Sequence, residues 1–431
     1  MTPLDFYHIP ALIKILATFG VILFLGKFFP LYIGLIVGGA VIGLWMGMDF
    51  WNLCSLMWDF SRSSQSLWLA LTLALILMLS DLLGKSGRLQ RIVAAFGEIS
   101  PGPKFTLVAL PALIGLLPMP GGAVFSAPMV GAMLTENPAP LELKAAINYW
   151  FRHIVEFWWP LYPGIVLAVS LFGVQSWKLT LSQSPLTLGA VAGGVAFILR
   201  GLPIAAAPHD KMSRGSVGRF VREILPIIIV IGGMFVFHGL RMLVGAWWNV
   251  EKIWPDALNF VLALGCAIST IVVTNRVSAG KVASAFFNQH VLYMFLIIVG
   301  IMSFKGILTE SKVIEALKDE LADYNIPSLA IVAILPFVAG MVTGIAMGFV
   351  GAAFPLVVSL VPHGASPYPY CLLAYGFGFV GMMLSPVHLC MLVNNEYFHA
   401  NLMGGYRYLW KPALVCIFFT IFVFRLYECF F

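Results

Sequence analysis

Charge is what this chain has least of: Asp, Glu, Lys and Arg make up 10% of its 431 residues, against about 25% in a typical soluble domain. With 60% hydrophobic residues and a mean hydropathy of +0.94, the medium it suits is lipid. Catalytic signatures are missing too. No GxSxG, HExxH or pair of intramembrane aspartates occurs, which argues against an intramembrane enzyme. The six cysteines, Cys54, Cys266, Cys371, Cys390, Cys416 and Cys429, have no CxxC spacing and no nearby His at ligand spacing, so neither zinc nor a disulfide framework is signalled. No small-residue cleavage site follows the first apolar run, 10–29, which reads as a retained span. The formal charge of +6 is the surplus that cytoplasmic loops carry, and no nucleic-acid partner is expected.

What is present is an internal repeat, offset by about 225 residues. Leu110 and Pro111 answer Leu335 and Pro336, Gly115 answers Gly340, and Pro128 answers Pro355. Tyr149, Phe151 and Pro160 answer Tyr375, Phe377 and Pro386, while upstream Pro30 answers Pro255 and Gly84 answers Gly306. Apolar segments broken by Gly and Pro at matching places of two halves point to the binding site of a secondary transporter.

Ten apolar runs can cross a bilayer core of about 30 Å: 10–29, 31–48, 67–84, 141–174, 185–203, 220–246, 255–274, 283–304, 367–398 and 408–430. Two more stretches, 104–134 and 326–362, are cut in the middle, the first from Pro118 to Gly122 and the second at Thr343 and Gly344. Their arms are too short to span, which predicts re-entrant hairpins. The expected fold is therefore an all-α polytopic membrane protein with five transmembrane helices and one hairpin in each half. An odd number of crossings inverts the second copy. The halves are 1–207 and 223–431, joined by a hydrophilic linker, 208–222. Of the 25 basic residues, 15 fall on the linker side, nine on the other and Arg152 within a span, which puts the linker in the cytoplasm and both termini outside. On that outer face, the five acids and three lysines of 305–325 predict an amphipathic surface helix.

Backbone N–H and C=O groups at a hairpin tip lack helical partners, and in lipid they need protein, ion or ligand. Candidate substrate-binding residues at the tips are Pro118, Pro120, Gly121, Gly122 and Ser126 in the first and Thr343 and Gly344 in the second. Arm N-termini near Gly121 and Gly344 suit an anion, although a kinked helix pair packed without ligand would show the same pattern. Replacing Gly121 or Gly344 by Val is expected to cost affinity with modest loss of fold.

The span 141–174 holds Asn148, Arg152, His153 and Glu156 just before Pro160, a dense ionisable set. Arg152 lies about 16 Å from the start of its span, too deep to snorkel easily. Being four apart, Arg152 and Glu156 share a helix face and suit an internal ion pair. Alternatively Arg152 is the counter-charge of an anionic substrate, with Asn148 beside it and His153 or Glu156 carrying the coupling ion. The matching break offers Ser385 and His388, with Gly378 and Met382 in place of the arginine and the carboxylate. The cluster Asn394, Asn395, Glu396 and His399 reads as a solvated cytoplasmic end.

This doubled layout resembles the ion transporter superfamily of gluconate permeases, citrate transporters, divalent-anion/sodium symporters and arsenite pumps. The runs LPALIGLLPMPGGAVFSAP (110–128) and LPFVAGMVTGIAMGFVGAAFP (335–355) are similar to those of uncharacterised prokaryotic integral membrane proteins allied to the gluconate permeases. The resemblance implies a homodimer in the cytoplasmic membrane of a prokaryote, with a scaffold domain and an elevator-like transport domain. The Ser-Asn-Thr signatures of the divalent-anion branch are absent from both tips, so sodium coupling and dicarboxylate substrates do not carry over. The expected function is secondary active transport of a small organic anion coupled to H+ or Na+, with no other cofactor. The alternatives are a cation/proton antiporter, a channel or an intramembrane enzyme.

Overall fold

The computed structural model describes residues 9–118, 122–134, 139–200, 202, 214–247 and 253–430, and every regular element among them is a helix. The first half comprises α1 (Ala11–Leu25), α2 (Leu31–Trp45), α3 (Phe50–Ser61), α4 (Ser64–Lys85), α5 (Arg88–Ile99), α6 (Pro103–Gly115), α7 (Ala123–Met133), α8 (Leu141–His153), α9 (Pro163–Phe172), α10 (Ser176–Gln183) and α11 (Leu186–Phe197). The second comprises α12 (Arg214–Gly245), α13 (Asp256–Thr274), α14 (Ala279–Phe286), α15 (Gln289–Glu310), α16 (Val313–Asp323), α17 (Ser328–Thr343), α18 (Ala346–Ser359), α19 (Pro367–Met383), α20 (Leu389–Phe398) and α21 (Leu402–Phe430). The succession of α1 to α9 recurs in α12 to α20, and the single α21 stands where α10 and α11 stand. Proline sets many of the starts: Pro10, Pro30, Pro140, Pro255 and Pro327 are the N-caps of α1, α2, α8, α13 and α17. Lacking an N–H, proline costs a helix nothing at its start, whereas Pro111, Pro128, Pro226, Pro336, Pro355 and Pro412, inside α6, α7, α12, α17, α18 and α21, each forgo one helical bond.

Among the described residues, five helical segments, at 64–85, 215–245, 256–274, 279–310 and 402–429, are long and apolar enough to cross a membrane, or seven if each of two sharply bent pairs counts as one span. The ten runs read from the sequence also include α1 and α2, of 15 residues each, the 12-residue α11, and the stretches 141–174 and 367–398, which are each split. The stretches 104–134 and 326–362 form the helix pairs α6/α7 and α17/α18, each packed side by side. The linker residues 208–213 lie outside the described residues.

The amphipathic helix expected over 305–325 is shorter. Residues 305–310 complete the buried α15, Lys312 takes a left-handed φ of +57°, and only then does α16 begin. It buries Val313, Ile314, Leu317 and Leu321. The Glu320 carboxylate accepts the free N–H groups of Ala11 and Leu12 at 2.5 and 2.9 Å, an acid satisfying the start of α1.

Packing pairs the halves reciprocally. Helix α2 packs on α15 as α13 packs on α4, α16 on α1 as α5 on α12, and α18 on α9 as α7 on α20. Glycines on α2 permit close approach. A Cβ at Gly34 would stand 3.0 Å from Ile22 O in α1, and one at Gly39 3.0 Å from Ile307 Cδ1 in α15.

Candidate functional site

Pro160 and Pro386 build the centre. A proline ring clashes with the carbonyl four residues back and supplies no N–H to it, so Glu156 O and Met382 O each lose that bond, and Met382 O accepts instead from Ser385 N at 3.1 Å. Helix α8 accordingly ends at His153, and Glu156 lies in the irregular stretch before α9 rather than on the helix face expected of it. Tyr375 donates from Oη to Glu156 O at 3.3 Å, and His388 Nδ1 lies 3.2 Å from Met382 O. Tyr149, the repeat partner of Tyr375, donates to Met383 O at 3.0 Å and meets His388 Nδ1 at 2.9 Å. Each tyrosine thus crosses to stabilise the break in the other half. The end of α6 is held in the same way: Gly115 O accepts from Tyr162 Oη at 2.5 Å and Leu116 O from Trp159 Nε1 at 2.7 Å.

Among the candidate residues, Arg152, His153 and Glu156 meet in one buried cluster. Arg152 Nη1 is 3.2 Å from His153 Nε2, 3.4 Å from Cys390 Sγ and 3.8 Å from Glu156 Oε1. His153 Nε2 stands 3.8 Å from the same carboxylate oxygen, and its Nδ1 lies 2.6 Å from Tyr149 O. The His153 and His388 ring centroids are 5.0 Å apart. The first tip rests on this cluster, since a Cβ at Gly122 would come within 2.5 Å of Arg152 Nη2. The second does so through Gly344, whose Cβ would meet His388 N at 2.9 Å and Ser385 Oγ at 3.0 Å.

The remaining candidates are placed as follows. Pro118 O accepts from Ser80 Oγ of α4 at 3.4 Å, whereas Pro120 and Gly121 lie outside the described residues. Ser126 and Thr343 bond back to their own helices, at Ala123 O (3.3 Å) and Ala339 O (2.7 Å). Ser385 Oγ accepts from Val387 N at 3.3 Å. Asn148 donates to Ala123 O at 3.1 Å and to Asn394 Oδ1 at 2.6 Å. Asn394 is therefore buried between the halves and not solvated, as its sequence position had implied; Glu396 is exposed. Sequence reasoning did not single out Tyr149, Tyr162, Tyr375, Trp159 or Cys390 as site residues. Their partners lie 43 to 239 residues away. The paired tyrosines of the repeat were the available signal.

A cavity of about 590 Å³, lined by Lys27, Phe29, Leu31, Tyr293, Thr343, Ile345 and Val387 among others, reaches the second tip and break. Another, of about 370 Å³, is bounded by Trp68, Ser170, Trp177, His238, Pro255 and Asp256 and runs along α9 from Val166 to its end. Through the repeat, Tyr293 answers Trp68 and Leu31 answers Asp256, so the two cavities occupy related places.

Close packing around the cluster depends on glycine. A Cβ on Gly115 would overlap Arg152 O, and one on Gly340 would overlap Gly378 O at the matching place. Gly115→Ala is expected to cost about 2 to 3 kcal/mol and to lower the thermal unfolding midpoint of the purified protein, whereas Gly232→Ala, which meets nothing within 4 Å, leaves it unchanged or higher.

No curated protein matches the chain. Over residues 11–426, however, it fits the model of the family described as Protein of unknown function (DUF401), and to that family the chain belongs.

Proposed function

We propose that this chain is a secondary active transporter that carries a small organic anion across the cytoplasmic membrane of a prokaryote by an elevator movement, coupled to H+ or Na+. The observation that carries the reading is Arg152: a guanidinium 2% exposed, set where two helix breaks and two broken apolar helix pairs converge. A buried intramembrane arginine marks a substrate path by default. In the elevator reading both termini face outward, the halves form an inverted repeat, and the reciprocal packing and crossed tyrosines support it. The cavity beside Lys27 then opens to the cytoplasm and reaches the second tip, while its counterpart at Pro255 faces outward and stops short of the first. This is the asymmetry of an inward-displaced transport domain. A homodimer through the scaffold helices belongs to the same proposal, and α12, with Phe235, Val236, Met242 and Leu243 exposed, offers an apolar face for it.

A cation/proton antiporter is the second reading, favoured by the proximity of His153 Nε2 to Glu156 at 3.8 Å. Uptake by proteoliposomes under imposed pH or Na+ gradients separates the two. Anion accumulation driven by either gradient supports the first reading; collapse of a pH gradient by added cation alone supports the second. Glu156→Gln keeps shape and hydrogen bonding but binds no proton. If Glu156 carries the coupling proton, this variant is expected to flatten the pH dependence of uptake while substrate binding persists. An unchanged pH profile would assign coupling elsewhere.

A further inference from the structure

Beside the carboxylate and the guanidinium lies a second set of groups. One ring nitrogen each of His153 and His388, together with Cys390 Sγ, lie within 4.8 Å of one another. Both rings are already oriented. His153 Nδ1 lies 2.6 Å from Tyr149 O, and a carbonyl only accepts, so that nitrogen carries the proton. His388 Nδ1 faces Met382 O at 3.2 Å and the Tyr149 oxygen, whose own proton goes to Met383 O. In the neutral rings this leaves Nε2 of each histidine with its lone pair. Histidines that ligate metals are held in this manner, by an N–H donated to a backbone carbonyl on the side away from the ion.

We infer that His153, His388 and Cys390 form a binding site for a borderline-soft transition-metal cation of the zinc class. Two imidazoles and one thiolate make a three-ligand set that leaves a fourth position open, and that donor set selects zinc-like ions over Mg2+ or Ca2+. In the present arrangement Arg152 Nη1 stands in for the metal, donating to His153 Nε2 and to Cys390 Sγ. Metal entry releases the thiol proton to solvent and turns the guanidinium toward Glu156 Oε1, now 3.8 Å from it. The thiolate then offsets one of the ion's two charges and Glu156 offsets Arg152, so the loaded cluster carries one net positive charge, suited to an anion at the open fourth position. Tetrahedral bonds of about 2.0 to 2.3 Å set ligand atoms about 3.5 Å apart, so the three groups must draw together by about 1 Å. The 590 Å³ cavity comes nearest at Val387, the residue before His388.

The inference stands without the transport reading, and its test needs no substrate. Co2+ is titrated into the full-length purified protein while thiolate-to-cobalt charge-transfer absorption and tetrahedral ligand-field bands are followed. Saturation at one Co2+ per chain, with displacement by Zn2+, is expected. Cys390→Ser, nearly isosteric, should abolish the charge-transfer band and weaken binding at least about tenfold, and Cys266→Ser should do neither. Arg152→Gln removes the competing cation and should tighten binding at least about tenfold. Absence of the band in the unaltered protein, or its survival in Cys390→Ser, overturns the site. Unchanged affinity in Arg152→Gln overturns the exchange between guanidinium and metal.

Discussion

Arg152→Ala is expected to abolish anion uptake and, separately, to cost the fold about 3 to 5 kcal/mol, the destabilisation typical of removing one partner of a buried charge pair. Two effects converge. The variant loses the only cation seen against the Glu156 carboxylate among the described residues, and it opens a space under Gly122, where the guanidinium now packs. Arg152→Lys keeps the charge but loses the planar fork that grips a carboxylate in two places, so intermediate uptake is expected. The double variant Arg152→Ala with Glu156→Gln separates folding from substrate recognition. It no longer strands a buried anion, so its stability should recover while uptake remains absent. The check is initial uptake into proteoliposomes at matched amounts of folded protein. Normal uptake by a folded Arg152→Ala protein removes the substrate role of this residue.

Gly344→Val is expected to cost about 2 to 5 kcal/mol of stability, more than the modest loss of fold anticipated from its sequence context. The backbone there is left-handed, with φ +64° and ψ 17°, and closes α17 by an N–H bond to Gly340 O at 2.9 Å. A β-branched residue pays roughly 1 to 2 kcal/mol for that conformation. Its Cβ also meets the backbone of His388 at 2.9 and 3.0 Å, a contact that only a shift of the break can relieve, at about 1 to 3 kcal/mol. The yield of monodisperse protein and its unfolding midpoint measure this directly. Gly344→Ala should be milder, because alanine shares the Cβ overlap and the positive φ but lacks the branches. Unaltered stability in Gly344→Val would show that the second tip is not held against the break.

Much of the architecture is local and therefore legible in residue order. A proline removes one helical hydrogen bond, and Pro160 and Pro386 stand at the two breaks, although Pro111, Pro128, Pro336 and Pro355 are carried inside helices; a left-handed turn favours glycine, so Gly344 marks the second tip. Apolar composition, the doubled Gly/Pro pattern and the depth of Arg152 follow from the same short-range rules. Span lengths were less legible. The stretches 141–174 and 367–398 are each long enough to read as one span, whereas the backbone breaks within both, and the start of α16 depends on one left-handed residue, Lys312.

What tertiary structure alone decided is the partnership between halves. Tyr149 supports Met383 and Tyr375 supports Glu156, contacts spanning 234 and 219 residues, and no periodicity or spacing rule reaches so far. Cys390 has His388 two residues before it, but Arg152 and His153, which also gather around it, come from the other half. Asn394, at the polar end of its run, is buried because Asn148 of the other half is there to pair with it. In lipid a stranded polar group has no water to turn to, so each orphan that the breaks create must be satisfied by protein, ion or ligand. Residue order sets where those orphans arise. Which side chain answers each one depended on how the two copies pack together.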